Sequence, residues 1–267
     1  MRENLRIVFM GTPEFAKTSL EKLVNLKYNV VGVFTNPDKP SGRGMKLNES
    51  EVKKYAIANN IRVFQPVKLR NNEEVINILN DLKPDLIVVV AYGKILPKEI
   101  LYFPKYGSVN VHGSLLPDYR GAAPMQWAII NGEPKTGITT MFMNEGMDTG
   151  DMLLKEEVEI TDEDDFESVH DKMKEVGANL LVETIDKIID GSIKRVKQPE
   201  EGTLAPMISR EMTKIDFNKN GREIFNFVRG LSPFPGTYIQ TEDDRKFKIF
   251  KVLYEEVDNL DNDLSNG

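Results

Sequence analysis

Short apolar runs alternate with longer amphipathic stretches from the N-terminus to about residue 190, and that alternation predicts most of the fold. Residues 5–10 (Leu-Arg-Ile-Val-Phe-Met) read as a buried strand. Gly11-Thr12-Pro13 is a turn, with Thr12 as N-cap and Pro13 as first residue of a helix over Glu14 to Leu26. Asn29 to Thr35 predicts a second strand, Glu49 to Asn59 a helix, Arg62 to Phe64 a short strand and Asn72 to Leu82 another helix. Two prolines and two glycines make Asn36 to Leu47 a loop. Asp85 to Ala91 (Asp-Leu-Ile-Val-Val-Val-Ala) is the most apolar run and suits a central parallel strand buried on both faces. Ser108 to His112 follows as a further strand. Strands alternating with helices at this spacing imply a Rossmann-like α/β fold, a mostly parallel sheet with right-handed crossovers.

Further along, Ala123 to Asn131 reads as a helix with Trp127 packed inward. Gly137 to Met143 and Met152 to Ile160 read as strands on either side of a loop. Asp164 to Ile189 has apolar residues at helical spacing (Val169, Met173, Val176, Leu180, Leu181, Thr184, Ile185, Ile188) and forms one long helix. Beyond Gly191 the chain turns polar and irregular. The expected organisation is a large domain over 1–191, a linker over 192–206 and a small β-rich piece over 207–267. That last piece holds a helix (Asn220 to Leu231), a hairpin (Thr237 to Gln240 with Lys246 to Tyr254) and an acidic, solvated tail.

Composition narrows the picture. With 267 residues and 40% hydrophobic content the chain can bury a full core. No run of about 18 apolar residues occurs, so no membrane helix is expected. The apolar run near the N-terminus is too short for a signal peptide. Zero cysteines exclude disulfides and thiolate metal sites, and two histidines in unrelated segments predict no metal centre. The expectation is a cytoplasmic protein, and a monomer. A net charge of −7 excludes a molecule that is basic all over, so any nucleic-acid contact must come from a local patch.

A strand, a glycine turn and a helix suggest dinucleotide binding. However, Gly11-Thr12-Pro13-Glu14-Phe15 lacks the second and third glycines of that fingerprint, and Pro13 removes an amide. The informative segment is Asn110-Val111-His112-Gly113-Ser114-Leu115-Leu116-Pro117-Asp118-Tyr119-Arg120-Gly121. Asn110 and His112 lie two apart on a strand end, so both side chains face one side, at the carboxyl edge where ligands bind in open α/β sheets. Gly113 ends the strand, and Ser114 to Pro117 forms a loop whose backbone suits a planar heterocycle. A lone histidine is more often a satisfied core residue; the neighbouring Asn110 and the loop favour chemistry. His170, beside Asp171 on the polar side of the long helix, reads as a surface residue. In Met143-Asn144-Glu145-Gly146-Met147-Asp148-Thr149-Gly150-Asp151, Asp148 or Asp151 is placed to meet His112, and spacing alone does not choose between them.

Asn110, His112, Ser114-Leu115-Leu116-Pro117 and Asp148 at these spacings closely resemble the folate-dependent formyltransferases, and the resemblance covers nearly the whole chain. Four more segments match best the family members that formylate the methionine on initiator tRNA. These are Phe9-Met10-Gly11-Thr12-Pro13-Glu14-Phe15, Val33 to Pro40 running on to Gly42-Arg43-Gly44, Val89 to Pro97, and Arg120-Gly121-Ala122-Ala123-Pro124 with Gln126. The resemblance implies 10-formyltetrahydrofolate as formyl donor and the α-amine of initiator methionyl-tRNA as acceptor. It assigns Asn110, His112 and Asp148 as catalytic. It places the folate against Val90, Tyr92, Ile95, Leu96, Ser114, Leu115, Leu116, Pro117 and Gly146. It also makes the Asn36 to Leu47 loop the insertion that meets the acceptor end of the tRNA, through Arg43 with Lys39 and Lys46. Lys194, Arg195 and Lys197 in the linker, with Arg210 and Lys214 beyond, add phosphate contacts.

In such enzymes the C-terminal domain is an OB-like barrel. A helix and about two strands do not close one, so the expected C-terminal piece is an incomplete OB-like unit. Other acceptors compete with the tRNA, namely glycinamide ribonucleotide and an amino sugar nucleotide. Further alternatives are hydrolysis of the formyl-folate, and a non-catalytic tRNA- or folate-binding module. A Rossmann oxidoreductase is the weakest, for want of the glycine pattern.

Overall fold

The computed structural model describes residues 2–41 and 46–255. Along the chain it forms β1 (Arg6–Gly11), α1 (Glu14–Asn25), β2 (Asn29–Phe34), β3 (Lys39–Ser41), β4 (Lys46–Asn48), α2 (Glu51–Ala58), β5 (Val63–Phe64), α3 (Glu73–Leu82), β6 (Leu86–Val90), α4 (Lys98–Leu101) and β7 (Ser108–His112). Then come β8 (Arg120–Gly121), α5 (Pro124–Ile130), β9 (Lys135–Phe142), β10 (Met152–Glu159), α6 (Phe166–Ile189), β11 (Leu204–Ala205), α7 (Gly221–Gly230), β12 (Thr237–Gln240) and β13 (Lys246–Ile249).

Seven strands make one sheet in the order β10-β9-β7-β6-β1-β2-β5. The five strands β5, β2, β1, β6 and β7 run parallel, whereas β9 joins β7 and β10 joins β9 antiparallel. All five residues of β6 are buried, because helices cover both faces. Leu86, Val88 and Val90 pack with α1, α2, α5 and α6, while Ile87 and Val89 pack with α3 and α4. Each such side chain contributes about 1.5–3 kcal/mol by leaving water. The helices start where the chain offers caps. The Asn72 side chain accepts from Glu74 N and Val75 N at α3, and capping boxes open α6 (Asp165 with Ser168) and α7 (Asn220 with Glu223).

Several expectations change. Pro13, not Thr12, stands at the α1 N-cap, and the Thr12 hydroxyl accepts from Asn36 Nδ2 at 3.1 Å. The Asn36 to Leu47 loop contains a strand pair, β3 with β4, which a Pro- and Gly-rich composition conceals. Trp127 is half-buried rather than packed inward, because its indole Nε1 donates to Pro206 O at 2.8 Å at the domain surface. His170 is half-buried, its ring 5.5 Å from Phe15 and 5.9 Å from Phe166.

The linker is fastened along its length. Val196 exchanges both backbone hydrogen bonds with Met152, and β11 pairs in parallel with β8. Its partners lie far away in sequence, so no local period betrays them. Beyond it, α7 packs on α5, with Gly230 so close that a Cβ there would stand 2.8 Å from Ile130 Cγ1. β12 and β13 form an antiparallel hairpin, tied back through Ile215 N to Tyr238 O at 2.9 Å. The C-terminal piece is thus small, with short antiparallel strands.

Candidate active site

The chain leaves β1 towards β2 and β5, then returns to the other flank of β1 as β6. The connections at the carboxyl ends of β1 and β6 therefore diverge and open a crevice, the topological switch point where ligands bind in such sheets. β7 lies next to β6 and carries Asn110 and His112 at this edge. Asn110 sits opposite Val89 on one side and Met141 on the other. It is half-buried, and its side-chain amide has no protein hydrogen-bond partner among the described residues. Between the two, Val111 turns to the other face and packs beside Gly177 of α6.

His112 is only 6% exposed. Its Nε2 lies 3.0 Å from Tyr119 O and donates to it, since a carbonyl can only accept. Its Nδ1 stands 3.7 Å from Asp148 Oδ2, in ion-pair range yet too far for a hydrogen bond. Nδ1 is therefore the ring nitrogen left available to a ligand. Asp148 has a left-handed backbone, φ 53°, and its Oδ2 accepts from Gly121 N at 2.9 Å. Gly121 has φ 122°, and a Cβ there would meet Ala205 O at 2.6 Å, so this position requires glycine. Spacing left Asp148 and Asp151 equal. The fold separates them: Asp148 meets His112, while Asp151 pairs with Arg195 at 3.0 Å.

The Ser114–Pro117 loop is held largely by residues outside the motif. Thr139 Oγ1 donates to Ser114 O at 2.7 Å and accepts from Leu116 N at 3.1 Å. Lys155 Nζ donates to Leu116 O, and burial pushes the pKa of this lysine down. Asp118 N bonds Leu115 O at 3.3 Å, and Ser114 Oγ donates to Asp118 O at 2.6 Å. Leu116 N and the carbonyls of Ser114, Leu115 and Leu116 each thus have a partner within the protein. Alternating strand residues such as Thr139 and Lys155 look like ordinary sheet positions, so no sequence signal marked them.

Of the other expected folate contacts, Val90 is inside the sheet ladder and Leu96 is buried. Tyr92 is wholly buried and contributes its carbonyl, which accepts from Asn36 Nδ2 at 2.9 Å. Ile95 is 86% exposed at the edge, as is Met147 beside Asp148 at 64%. Gly146 N is taken by Asn144 Oδ1 at 3.0 Å, and Lys98 bridges to Glu145 at 2.8 Å. Two concavities of about 850 and 620 Å³ lie elsewhere, between α5 and α7 and beside β5 and α3; neither is lined by Asn110, His112 or Asp148.

Residues 5–185 match the family model described as formyl transferase, and residues 207–263 match the formyl transferase C-terminal domain. The chain belongs to the formyl transferase family. It is 55% identical over 249 residues to a methionyl-tRNA formyltransferase of Clostridium acetobutylicum, covering 93% of this chain and 79% of that one. A methionyl-tRNA formyltransferase of Caldanaerobacter subterraneus is 52% identical over 93% of this chain and 80% of its own. Among solved structures, a 4-N formyltransferase from Francisella tularensis superposes with a TM-score of 0.74 at 22% identity, over 96% of this chain and 100% of that one.

In this formyl transferase chain several basic residues are expected to meet RNA. Lys39 is exposed in β3, whereas Arg43 and the side chain of Lys46 lie outside the described residues. Lys194 and Lys197 are exposed. Arg195 is already committed: it pairs with Asp151, and its guanidinium stacks 4.6 Å from the Phe142 ring. Among the described residues no cluster of histidine, aspartate and glutamate is arranged to hold a metal, and no helix is long and apolar enough to cross a membrane.

Proposed function

We propose that this chain transfers the formyl group of 10-formyltetrahydrofolate to the α-amine of initiator methionyl-tRNA, with Asn110, His112 and Asp148 performing the chemistry. The observation that carries the chemistry is one carboxyl-edge site where, among the described residues, the Asn110 amide and His112 Nδ1 have no protein hydrogen-bond partner and a carboxylate stands 3.7 Å from that nitrogen. The named relatives, 55% and 52% identical, support the acceptor.

Formyl transfer to an amine is acyl transfer. The amine nitrogen bonds to the formyl carbon, the formyl oxygen gathers negative charge, and the bond to the donor nitrogen breaks. The Asn110 amide donates to that oxygen, and so does His112 through Nδ1–H when the ring carries a proton on both nitrogens, each such donor being worth about 3–4 kcal/mol in the transition state. Tyr119 O holds the ring in place through Nε2. The Asp148 carboxylate faces Nδ1 and takes the proton that the amine loses, passing it to the departing nitrogen through water. The exposed apolar side chains of Ile95 and Met147 suit the flat folate ring. Exposed Lys39, Lys194 and Lys197, with Arg43, supply phosphate contacts for the tRNA. The chain works as a monomer in the cytoplasm, where its acceptor is charged, and needs no metal.

The test is formyl transfer to charged initiator tRNA, with released tetrahydrofolate and formyl-methionyl-tRNA both quantified. Asn110→Ala and His112→Ala should each lower kcat by about 10²- to 10³-fold with little change in KM. Near-wild-type turnover in either would overturn the catalytic assignment. Folate release without formyl-tRNA, or preferred transfer to glycinamide ribonucleotide or an amino sugar nucleotide, would overturn the acceptor.

A further inference from the structure

We propose that Gln198, in the segment between the two domains, is a positioning residue for Asp148; this rests on the role given to Asp148 above. Gln198 is only 6% exposed. Its Nε2 donates to Asp148 O at 2.9 Å and Gly150 O at 2.8 Å. Its Oε1 accepts from Arg120 Nε at 3.1 Å and Nη2 at 2.9 Å. Both amide donors and both acceptor sites are therefore used, which is the full capacity of the side chain.

The bonds of Gln198 close a ring through the site. Tyr119, Arg120 and Gly121 are consecutive, and each holds a different member. Tyr119 O takes His112 Nε2, the Arg120 guanidinium takes Gln198 Oε1, and Gly121 N takes Asp148 Oδ2. Arg120 is itself buried and also donates to Pro199 O and Glu200 O. Gln198 completes the circuit by gripping the turn on both sides of Thr149. That turn holds Asp148 in a left-handed backbone, a conformation unfavourable for a residue with a side chain unless its surroundings impose it. The neighbouring Arg195–Asp151 pair and the Val196–Met152 backbone bonds lay the whole 195–198 segment along 148–152. A linker residue thus sets where the Asp148 carboxylate stands relative to His112 Nδ1.

Gln198→Leu keeps the bulk and removes these four bonds together with the 3.9 Å contact of Nε2 with Met141 Sδ. Gln198→Glu keeps the acceptor for Arg120 and sets a carboxylate against two carbonyls. In both, kcat for formyl transfer to charged initiator tRNA should fall by up to about 10²-fold, through misplacement of the Asp148 carboxylate, while both KM values stay near wild type. Gln198→Leu placed in an Asp148→Asn background should cause no further loss, because one residue acts through the other. Unchanged kcat in the variants, or losses that multiply in the double variant, would overturn the proposal and leave Gln198 as a fastener of the linker. If Gln198→Leu fails to fold, Gln198→Glu carries the same comparison. Asp148→Asn turning over at the wild-type rate would instead sink the reading of Asp148 itself, and the proposal with it.

Discussion

Tyr92 separates what a residue does in the core from what it does in a site. Its ring is among the largest fully buried side chains, and its hydroxyl has no hydrogen-bond partner among the described residues. Burial pushes the pKa of the phenol up, so it stays protonated and donates no charge to chemistry. A buried hydroxyl without a partner is a net cost, so Tyr92→Phe should raise stability by roughly 1 kcal/mol and leave the folate KM unchanged. Urea unfolding midpoints and steady-state kinetics check both halves; a clear loss of stability would mean the hydroxyl has a partner after all. Asn110 and His112 were legible as a pair because strand geometry alone puts residues two apart on one side. Asp148 was legible only through the family resemblance and not from spacing, because its place depends on a turn that Gly121 and Gln198 hold from outside.

The long helix α6 shows how an element is anchored at its start. Asp164 precedes the capping residue Asp165 and is buried. Burial alone would raise its pKa. Lys172, the Thr161 amide and hydroxyl and the Ser168 hydroxyl outweigh that and hold it at about 2, below the ordinary 3.8. The contribution to stability is therefore complete above about pH 4 and disappears as the pH falls through about 2, and it corresponds to about 2 kcal/mol. Asp164→Asn should be less stable than wild type by about that amount at neutral pH, with the gap closing in acid. Thermal unfolding as a function of pH measures it; a gap that persists at pH 2 would refute this account. The apolar spacing of α6 predicted its buried face well, from Val169 through Ile188. The pairing of β3 with β4 was not legible, because three-residue strands carry no usable period.

For the whole molecule the question is how a chain of net charge −7 holds RNA. Local cations suffice, since phosphate contacts depend on nearby charge and each releases counterions. Lys194 and Lys197 project from the linker, whereas Arg195 is occupied by Asp151 and Phe142. Replacing both lysines by alanine should weaken tRNA binding and flatten its salt dependence by about one logarithmic unit of slope per lost contact. Arg195→Ala should instead disturb the 148–152 turn and act on kcat. Binding titrations across a salt series, set beside turnover, distinguish the two; a flattened slope from Arg195→Ala with kcat intact would reverse the assignment.

Residue order alone encodes the alternation of strands and helices, the buried β6, the long α6 and the strand end carrying Asn110 and His112. These are local properties: side-chain period, capping residues and turn formers act over a few positions. It also carried the family likeness, written in residue types at set spacings. The fold adds how Asp148, which the family likeness had favoured over Asp151, is brought to His112, that Thr139 and Lys155 occupy the Ser114–Pro117 backbone, and that the linker is stitched to the 148–152 turn through Gln198. Each of those depends on hydrogen bonds between groups 23 to 78 positions apart. No local pattern encodes such a partner, because its position is set by how the whole sheet and its flanking helices pack.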